Sequence, residues 1–264
     1  MLRVLHVVTD MNRGGLETMI MNYYRNIDRK KIQFDFLVHR GYRASYDDEI
    51  ESYGGKIYRL SRLIPWSKNY IKMLDAFFQD HPEYKIVHVH QDCLSGVILK
   101  VAEKNGVPIR IAHSHSSSQD KNLKYLIKLW YKRWIPKYAT DLFACGKEAG
   151  DWMFGGAKYK IINNAISAKF YTFDAGKRDV MRKELNLGLT ARFSWAKNHH
   201  FLLDIFDEVL KMDPSAKLLL VGDGELRKDI EAKMHELGLA EHVIMTGVRS
   251  DVQNLLQAMD VFVM

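Results

Sequence analysis

The residues of this sequence that could do chemistry fall into short clusters: Gly14-Gly15, His88 to Asp92, His113-Ser114-His115, Cys145-Gly146, Asn163-Asn164, Arg192 to Lys197, Gly222-Asp223-Gly224 and Gly247-Val248-Arg249. Most of these residue types suit an anion. Glycines ahead of a helix expose backbone N–H groups and let a phosphate approach closely. Arg192 and Lys197 could hold a diphosphate, Arg through its planar fork and Lys as a point charge, or could be two solvated surface cations. Gly14-Gly15 could equally make a tight turn and no more. The pattern there is not G-x-G-x-x-G, so a dinucleotide site is not indicated. The histidines allow a different chemistry. His88-Val89-His90 and His113-Ser114-His115, with Cys93 and Asp92, have the spacing of two H-x-H metal half-sites, because alternate strand residues point the same way. A metal-dependent hydrolase built on them needs three or four ligands converging on one point, with carboxylates behind the rings.

The clusters are positioned by alternating strands and helices. Leu2, Val4, Leu5, Val7 and Val8 form a nearly continuous apolar run, the pattern of a strand buried on both faces. Leu16, Met19, Ile20 and Tyr23 then fall on one helix face, so Gly14-Gly15 lies between a strand's carboxyl end and a helix start. Strands follow at Phe34–Val38, Lys56–Leu60, Ile86–Val89, Ile109–Ala112, Leu142–Ala144 and Ile161-Ile162, with helices between them. The pattern predicts a doubly wound parallel sheet over residues 1–165. A shorter unit with the same rhythm occupies residues 166–264, with strands at Lys217–Val221, Val243–Thr246 and Val261–Met264. In such sheets ligands bind beyond the carboxyl ends of the strands, where every cluster above falls.

Bulk properties agree with an anionic partner. The chain has 264 residues, and 39 Lys+Arg against 32 Asp+Glu give a net charge of +7. Its two cysteines, Cys93 and Cys145, have no C-x-x-C spacing, which suits a reduced, cytoplasmic setting. No apolar run approaches a membrane span, and Met1-Leu2-Arg3 leads straight into the first strand without a signal peptide. Nucleic-acid binding fits the charge, but no motif supports it.

Taken in order, several motifs resemble family 4 glycosyltransferases. They are Arg192-Phe193-Ser194-Trp195-Ala196-Lys197 with Asn198-His199-His200, the Gly14-Gly15 loop, Ala112-His113-Ser114-His115, Ile162-Asn163-Asn164-Ala165, Val221-Gly222-Asp223-Gly224 and Thr246-Gly247. The sub-type resembles capsular and exopolysaccharide enzymes. The resemblance implies a GT-B fold: two Rossmann-like doubly wound parallel-sheet domains facing across a cleft, an acceptor-side domain at 1–165 and a nucleotide-sugar domain at 166–264. It implies a retaining, hexosyltransferase-type enzyme that needs no metal or other cofactor and moves a sugar from a nucleotide diphosphate to a glycan or lipid-linked acceptor in surface polysaccharide synthesis. Arg192 and Lys197 would bind the donor diphosphate and stabilise the departing charge. Gly14 and Gly15 would approach the same phosphate, and His113 would contact the donor near the reacting carbon, with His115 as the alternative. Asn163 and Gly222 would line the substrate site, and backbone at Gly247, Val248 and Arg249 would touch the base.

Two departures accompany the resemblance. The family's Glu-x7-Glu segment would follow Met264, and only Leu189-Thr190-Ala191 stand where a strand of about five residues should deliver Arg192. The expectation is an incomplete second domain, less well packed than the first and inactive alone, with a break or irregular crossing between Leu187 and Arg192. A non-catalytic nucleotide-sugar-binding member is the alternative within the fold.

One stretch stands apart. Lys121 to Lys137 holds six cations, four aromatics and no acid. As one helix it would gather Leu123, Ile127, Trp130 and Trp134 on one face. That suits either an interfacial helix on an anionic membrane at the inner face or a core helix with a solvated basic side.

Overall fold

The computed structural model describes residues 1–117, 125–166, 168–185, 190–193, 199–224, 226–249 and 251–263, with backbone alone at 169–170, 190–193 and 262–263. The chain divides into two compact units, Met1–Ile166 and Ser167–Met264.

The first unit runs β1 (Leu2–Val8), α1 (Gly15–Asn26), β2 (Ile32–Val38), α2 (Asp47–Ser52), β3 (Ile57–Arg59), α3 (Lys68–Asp80), β4 (Ile86–Val89), α4 (Ser95–Lys104), β5 (Ile109–Ser114), α5 (Tyr125–Lys132), α6 (Ile135–Tyr138), β6 (Asp141–Ala144), α7 (Lys147–Phe154) and β7 (Lys160–Ile161). The strands form one parallel sheet in the order β3-β2-β1-β4-β5-β6-β7. Strand order reverses between β1 and β4, so the carboxyl ends of these two strands flank the crevice where such sheets bind ligands.

Alternation along each strand divides the core between the two faces. Leu5, Val7, Leu37, Val87, Val89 and Ala112 face a cluster that includes Leu74 and Phe77 of α3, Ile98 of α4 and Phe154 of α7. Val8, Phe36 and Val38 pack against Met19 and Ile20 of α1 and Ile50 of α2 on the other side. Each such side chain contributes about 1.5–3 kcal/mol by leaving water. Helix ends follow local chemistry. Ser67 caps α3 by accepting from the Tyr70 N–H at 3.2 Å, and Gly106 beyond α4 takes φ +73°.

The second unit runs α8 (Ala168–Tyr171), α9 (Ala175–Glu184), β8 (Thr190–Phe193), α10 (His199–Met212), β9 (Lys217–Leu220), α11 (Arg227–Glu236), β10 (Val243–Met245), α12 (Val252–Gln257) and β11 (Val261–Val263). Its parallel sheet has the order β10-β9-β8-β11. Leu218 and Leu220 pack against Leu203 and Phe206 of α10 and Ile230 and Met234 of α11. Leu219 points the other way, onto Met181 of α9 and Leu255 of α12. Both faces of β9 are therefore covered, while Val261 at the start of the edge strand β11 is 54% exposed.

Three expectations change. The strand before the Arg192 loop is not confined to residues 189–191: β8 spans Thr190–Phe193 and is paired on both sides, with β9 and β11. Arg192 thus lies within the strand, since partners on both edges satisfy a short inner strand. Of the break expected between Leu187 and Arg192, residues 187–189 lie outside the described residues, and Thr190 to Arg192 run without interruption in β8. Lys121 to Lys137 is not one helix. The described part ends α5 at Lys132 and starts α6 at Ile135, with Pro136 in the first turn of α6, where its missing N–H costs nothing. Trp134 therefore caps α6 and does not extend the face of α5.

Candidate active site

The first unit's ligand edge is a row of rings across five neighbouring strands. His6 of β1 stands in register with His88 of β4, and His90 follows at the end of β4. His113 belongs to β5, and His115 follows that strand. Phe34 and Phe36 lie against His6 on one side, with ring centroids 4.3 and 5.7 Å away. Phe143 of β6 closes the row, 6.0 Å from His113 and almost perpendicular to it. His88 and His113 are parallel to within 2° at 5.2 Å.

The histidines are also joined through nitrogen. His6 Nδ1 lies 3.1 Å from His90 Nε2, and His90 Nδ1 lies 2.9 Å from His115 Nε2. His88 Nε2 lies 3.2 Å from His113 Nδ1. Nε2 of His6 and Nε2 of His113 are buried with no hydrogen-bond partner.

Burial governs the charge of this row. It pushes His113 down to about 2, helped by His115 and His88, and His115 down to about 4. His6 falls to about 3, again chiefly from burial with a smaller push from His113. His88 and His90 are held well below the ordinary imidazole value by burial and by one another's neighbours. At neutral pH the row is therefore a wall of uncharged imidazoles, each able to donate or accept one hydrogen bond.

Other groups complete the edge. Gly14 precedes α1 with φ −109°, so neither a turn nor left-handed backbone demands glycine there. A Cβ at Gly14 would meet the Glu17 carboxylate at 2.2 Å, and one at Gly15 would meet nothing. What the pair supplies is exposed backbone at the helix start, beside a half-buried Glu17 whose pKa is raised by burial. His39 closes β2, with its Nε2 2.8 Å from the Tyr70 hydroxyl, and Gln91 reaches back to Thr9 at 3.4 Å. After β7 the chain turns back toward α1. The Tyr23 hydroxyl donates to the Asn163 carbonyl and the Asn22 amide to the Ala165 carbonyl, both at 2.8 Å. Asn163 is thus held through its backbone, with its side chain exposed. Asp92, just past β4, has φ +45°.

The second unit's ligand edge is built from backbone. Gly222 and Gly247 form an isolated antiparallel bridge, with Gly222 N–H donating to Gly247 O at 2.9 Å. Both take positive φ, +132° and +66°, which other residues adopt only with strain. Val248 is exposed beside them. The Arg249 guanidinium is turned to Asp251 at 2.8 Å and Glu184 at 3.0 Å, so Gly247 to Arg249 present backbone and the Val248 side chain rather than a free charge. Arg192 is described by its backbone only, and Lys197 lies outside the described residues.

Among the sequence candidates, the structure joins His88, His90, His113 and His115 in one row and places Gly222 against Gly247. Cys93 and Asp92 do not complete a metal set with the histidines. Among the described residues the groups of ligand atoms close enough to share an ion are His6-His88-His90 and His90-His113-His115, and Cys93 is buried in the core on the opposite face. The member missed from sequence was His6. Its signal was a polar residue inside the apolar stretch from Val4 to Val8, in phase with both ends.

Two family models cover the chain: Glycosyltransferase Family 4 over residues 13–169 and Glycosyl transferases group 1 over residues 176–264. The chain is 33% identical over 278 aligned positions to the putative glycosyltransferase EpsF of Bacillus subtilis (strain 168), covering 99% of this chain and 72% of EpsF. It is 24% identical to the capsular polysaccharide biosynthesis glycosyltransferase CapH of Staphylococcus aureus, over 99% of this chain and 74% of CapH. Anabaena HepE, solved with UDP and glucose, superposes with a TM-score of 0.78 at 16% identity, over 99% of this chain and 73% of HepE. The two parallel α/β units define the GT-B class, and the chain belongs to glycosyltransferase family 4.

Proposed function

We propose that this glycosyltransferase moves a sugar, with retention of configuration and without a metal, from a nucleotide-diphosphate donor to a glycan or lipid-linked acceptor in surface polysaccharide synthesis. The observation that carries the reading is the wall of neutral imidazoles at the strand-order reversal, with His113 Nε2 buried and unpartnered. A neutral ring there can exchange a hydrogen bond with a sugar hydroxyl or phosphate oxygen without fixing charge before the glycosidic bond breaks. The UDP and glucose of HepE and the capsular role in the name of CapH support the donor and the pathway class.

In this reading His113 meets the donor near its reacting carbon, and His115, steadied by His90, lines the same wall. Gly14 and Gly15 let the diphosphate approach the start of α1 closely, and Arg192 and Lys197 neutralise the departing nucleotide. Gly222, Gly247 and Val248 offer backbone to the base, as does Arg249, and Asn163 presents its exposed amide to the substrate. The acceptor is brought by a membrane face in the cytoplasm. Among the described residues α5 buries no side chain and leaves Leu126 75%, Ile127 38% and Trp130 57% exposed, beside Lys128, Lys132 and Arg133. An apolar strip edged with cations suits anionic lipid.

The deciding experiment incubates purified full-length protein with a panel of nucleotide sugars and follows release of the nucleotide diphosphate and the anomer of the product. Release from one donor with retention, persisting in a chelator, is expected. His113→Ala should lower turnover far more than nucleotide affinity, and no release from any donor would overturn the reading. Sedimentation with anionic vesicles, reversed by salt, is expected for α5; equal binding to neutral vesicles would remove the membrane from it.

A further inference from the structure

Three histidines of the row share a geometry suited to a metal ion. His6 lies on β1 and His88 on β4, and His90 follows the end of β4, two residues on from His88 and therefore on the same face. His6 and His88 are register partners on neighbouring strands. One ring nitrogen from each of the three lies within 4.8 Å of the others, and the His6 Nδ1 to His90 Nε2 separation is 3.1 Å. Two nitrogens bound to one tetrahedral zinc ion stand about 3.3–3.4 Å apart, from Zn–N bonds of about 2.0–2.1 Å. Small ring rotations would therefore bring the set onto a single ion.

The His6 ring is 4% exposed, so the Nδ1 it turns to His90 is held out of water, while its unpartnered Nε2, on the other side of the ring, takes no part. His90 is equally buried, at 5% exposure, whereas His88 is partly open and gives the site a way in.

We propose that His6, His88 and His90 bind a borderline divalent transition-metal ion, zinc first among them. Imidazole ligands select zinc, copper, nickel and cobalt over magnesium or calcium, which prefer oxygen. The ion is a strut between β1 and β4, the two strands that flank the ligand crevice, and stands apart from the transfer step. His90 also belongs to the neighbouring trio with His113 and His115, so the two trios compete for one ion. The His6 trio is the site because His113 and His115 line the substrate wall.

The test is titration of the metal-stripped protein with Zn2+ and Co2+, read by calorimetry, by the melting temperature and by the visible spectrum of bound Co2+. One tight ion per chain, a higher melting temperature and a spectrum of low-coordinate cobalt with nitrogen ligands are expected. Phenylalanine at position 6 keeps the ring packing against Phe34 and Phe36 and removes only the nitrogens. His6→Phe should therefore remain folded and lose at least tenfold in affinity, as should His90→Phe, while His115→Phe keeps the affinity of the parent. Unchanged zinc affinity in His6→Phe, or loss in His115→Phe alone, overturns the assignment. If His6→Phe does not fold, X-ray absorption of zinc-loaded His115→Phe decides: three imidazoles support the site, and fewer overturn it. Stripping the ion should lower the melting temperature with no loss of donor turnover. Lost turnover would contradict the strut and leave the metal-free transfer reading to be judged separately by its donor screen.

Discussion

The two units share a parallel sheet wound the same way, yet they treat polarity in opposite fashion. Among the described residues the first unit buries His6, Gln33, Asp35, His39, Asp47, His90, Ser95, His113 and Ser114, and the second buries Gln257. Asp35 accepts from Arg3 at 2.5 Å and from the Tyr84 hydroxyl at 2.7 Å, so that a charge inside the first unit is fully partnered. The second unit keeps its charges in surface pairs such as Lys211–Glu208 and Arg227–Glu231. The lesson concerns the ligand edge. A sheet can present polar chemistry either as desolvated, neutral rings or as exposed backbone between surface ion pairs, and the two respond to different variables: pH for the first, conformation and salt for the second.

Acid should separate the units most strongly. His6, His39, His113 and His115 are held at about 3, 4, 2 and 4, each mainly by burial, and His88 and His90 lie well below the ordinary value. These rings are neutral in the fold but take up protons near pH 6.5 once unfolded. The stability they confer is complete above about pH 6.5 and is lost as pH falls through the folded values. Each ring removes up to about 1.4 kcal/mol per pH unit in that window. Hydrogen exchange resolved by unit should show the first unit opening between about pH 6 and 4 while the second, with no buried histidine among its described residues, lags. Coincident loss of both units would sink the comparison.

Close packing gives the next contrast. A Cβ at Gly96 of α4 would lie 2.7 Å from Trp134 Cβ and 3.1 Å from the Ile135 nitrogen. Gly96→Ala should cost about 1–3 kcal/mol from overpacking, only partly offset by the roughly 1 kcal/mol by which alanine favours a helix. Gly238, beyond α11, has open space but φ +68°, so Gly238→Ala should cost roughly 1 kcal/mol from backbone strain alone. Chemical denaturation of both variants checks this; a neutral Gly96→Ala would show that α6 yields freely.

Binding sharpens the contrast from the donor side. If Lys197 holds the diphosphate as proposed, Lys197→Ala loses a charge-assisted hydrogen bond of about 1.5–3 kcal/mol, so nucleotide affinity should fall at least about tenfold with an unchanged melting temperature. Calorimetric titration with the nucleotide measures it, and undiminished affinity would take Lys197 out of the site.

Much of this was legible in the residues. Apolar runs such as Leu2–Val8 and Ile86–Val89 can only be buried strands, and the clusters between them had to fall at the carboxyl edge. Strand order was not legible, because the pairing of β1 with β4 is a tertiary choice that neither strand encodes. His6 was hidden for that reason: its meaning depends on which strand becomes its neighbour. Pro136 misled because proline stops one helix and starts another with equal ease, and only the packing of Ile135 against the sheet decides. The length of β8 was hidden as well, since strand extent depends on partners on both edges.

The smallest effect belongs to Arg249, and it tests what the second unit's edge is made of. Its guanidinium donates to both carboxylate oxygens of Asp251 and to Glu184, the last residue of α9. These carboxylates raise the arginine's pKa, and the guanidinium in turn holds Asp251 below the usual carboxylate range. The pairs are partly exposed, with 28% of the arginine side chain and 47% of Glu184 open to solvent, so water and salt screen most of the attraction. Arg249→Ala should therefore cost under about 1 kcal/mol, and less in high salt. Nucleotide affinity should stay within about twofold of the parent, because that change corresponds to roughly 0.4 kcal/mol and the side chain is already turned to carboxylates. A larger fall in affinity at unchanged stability would mean that the guanidinium leaves Asp251 and Glu184 to meet the nucleotide, and the second unit would then read its ligand by charge rather than by backbone.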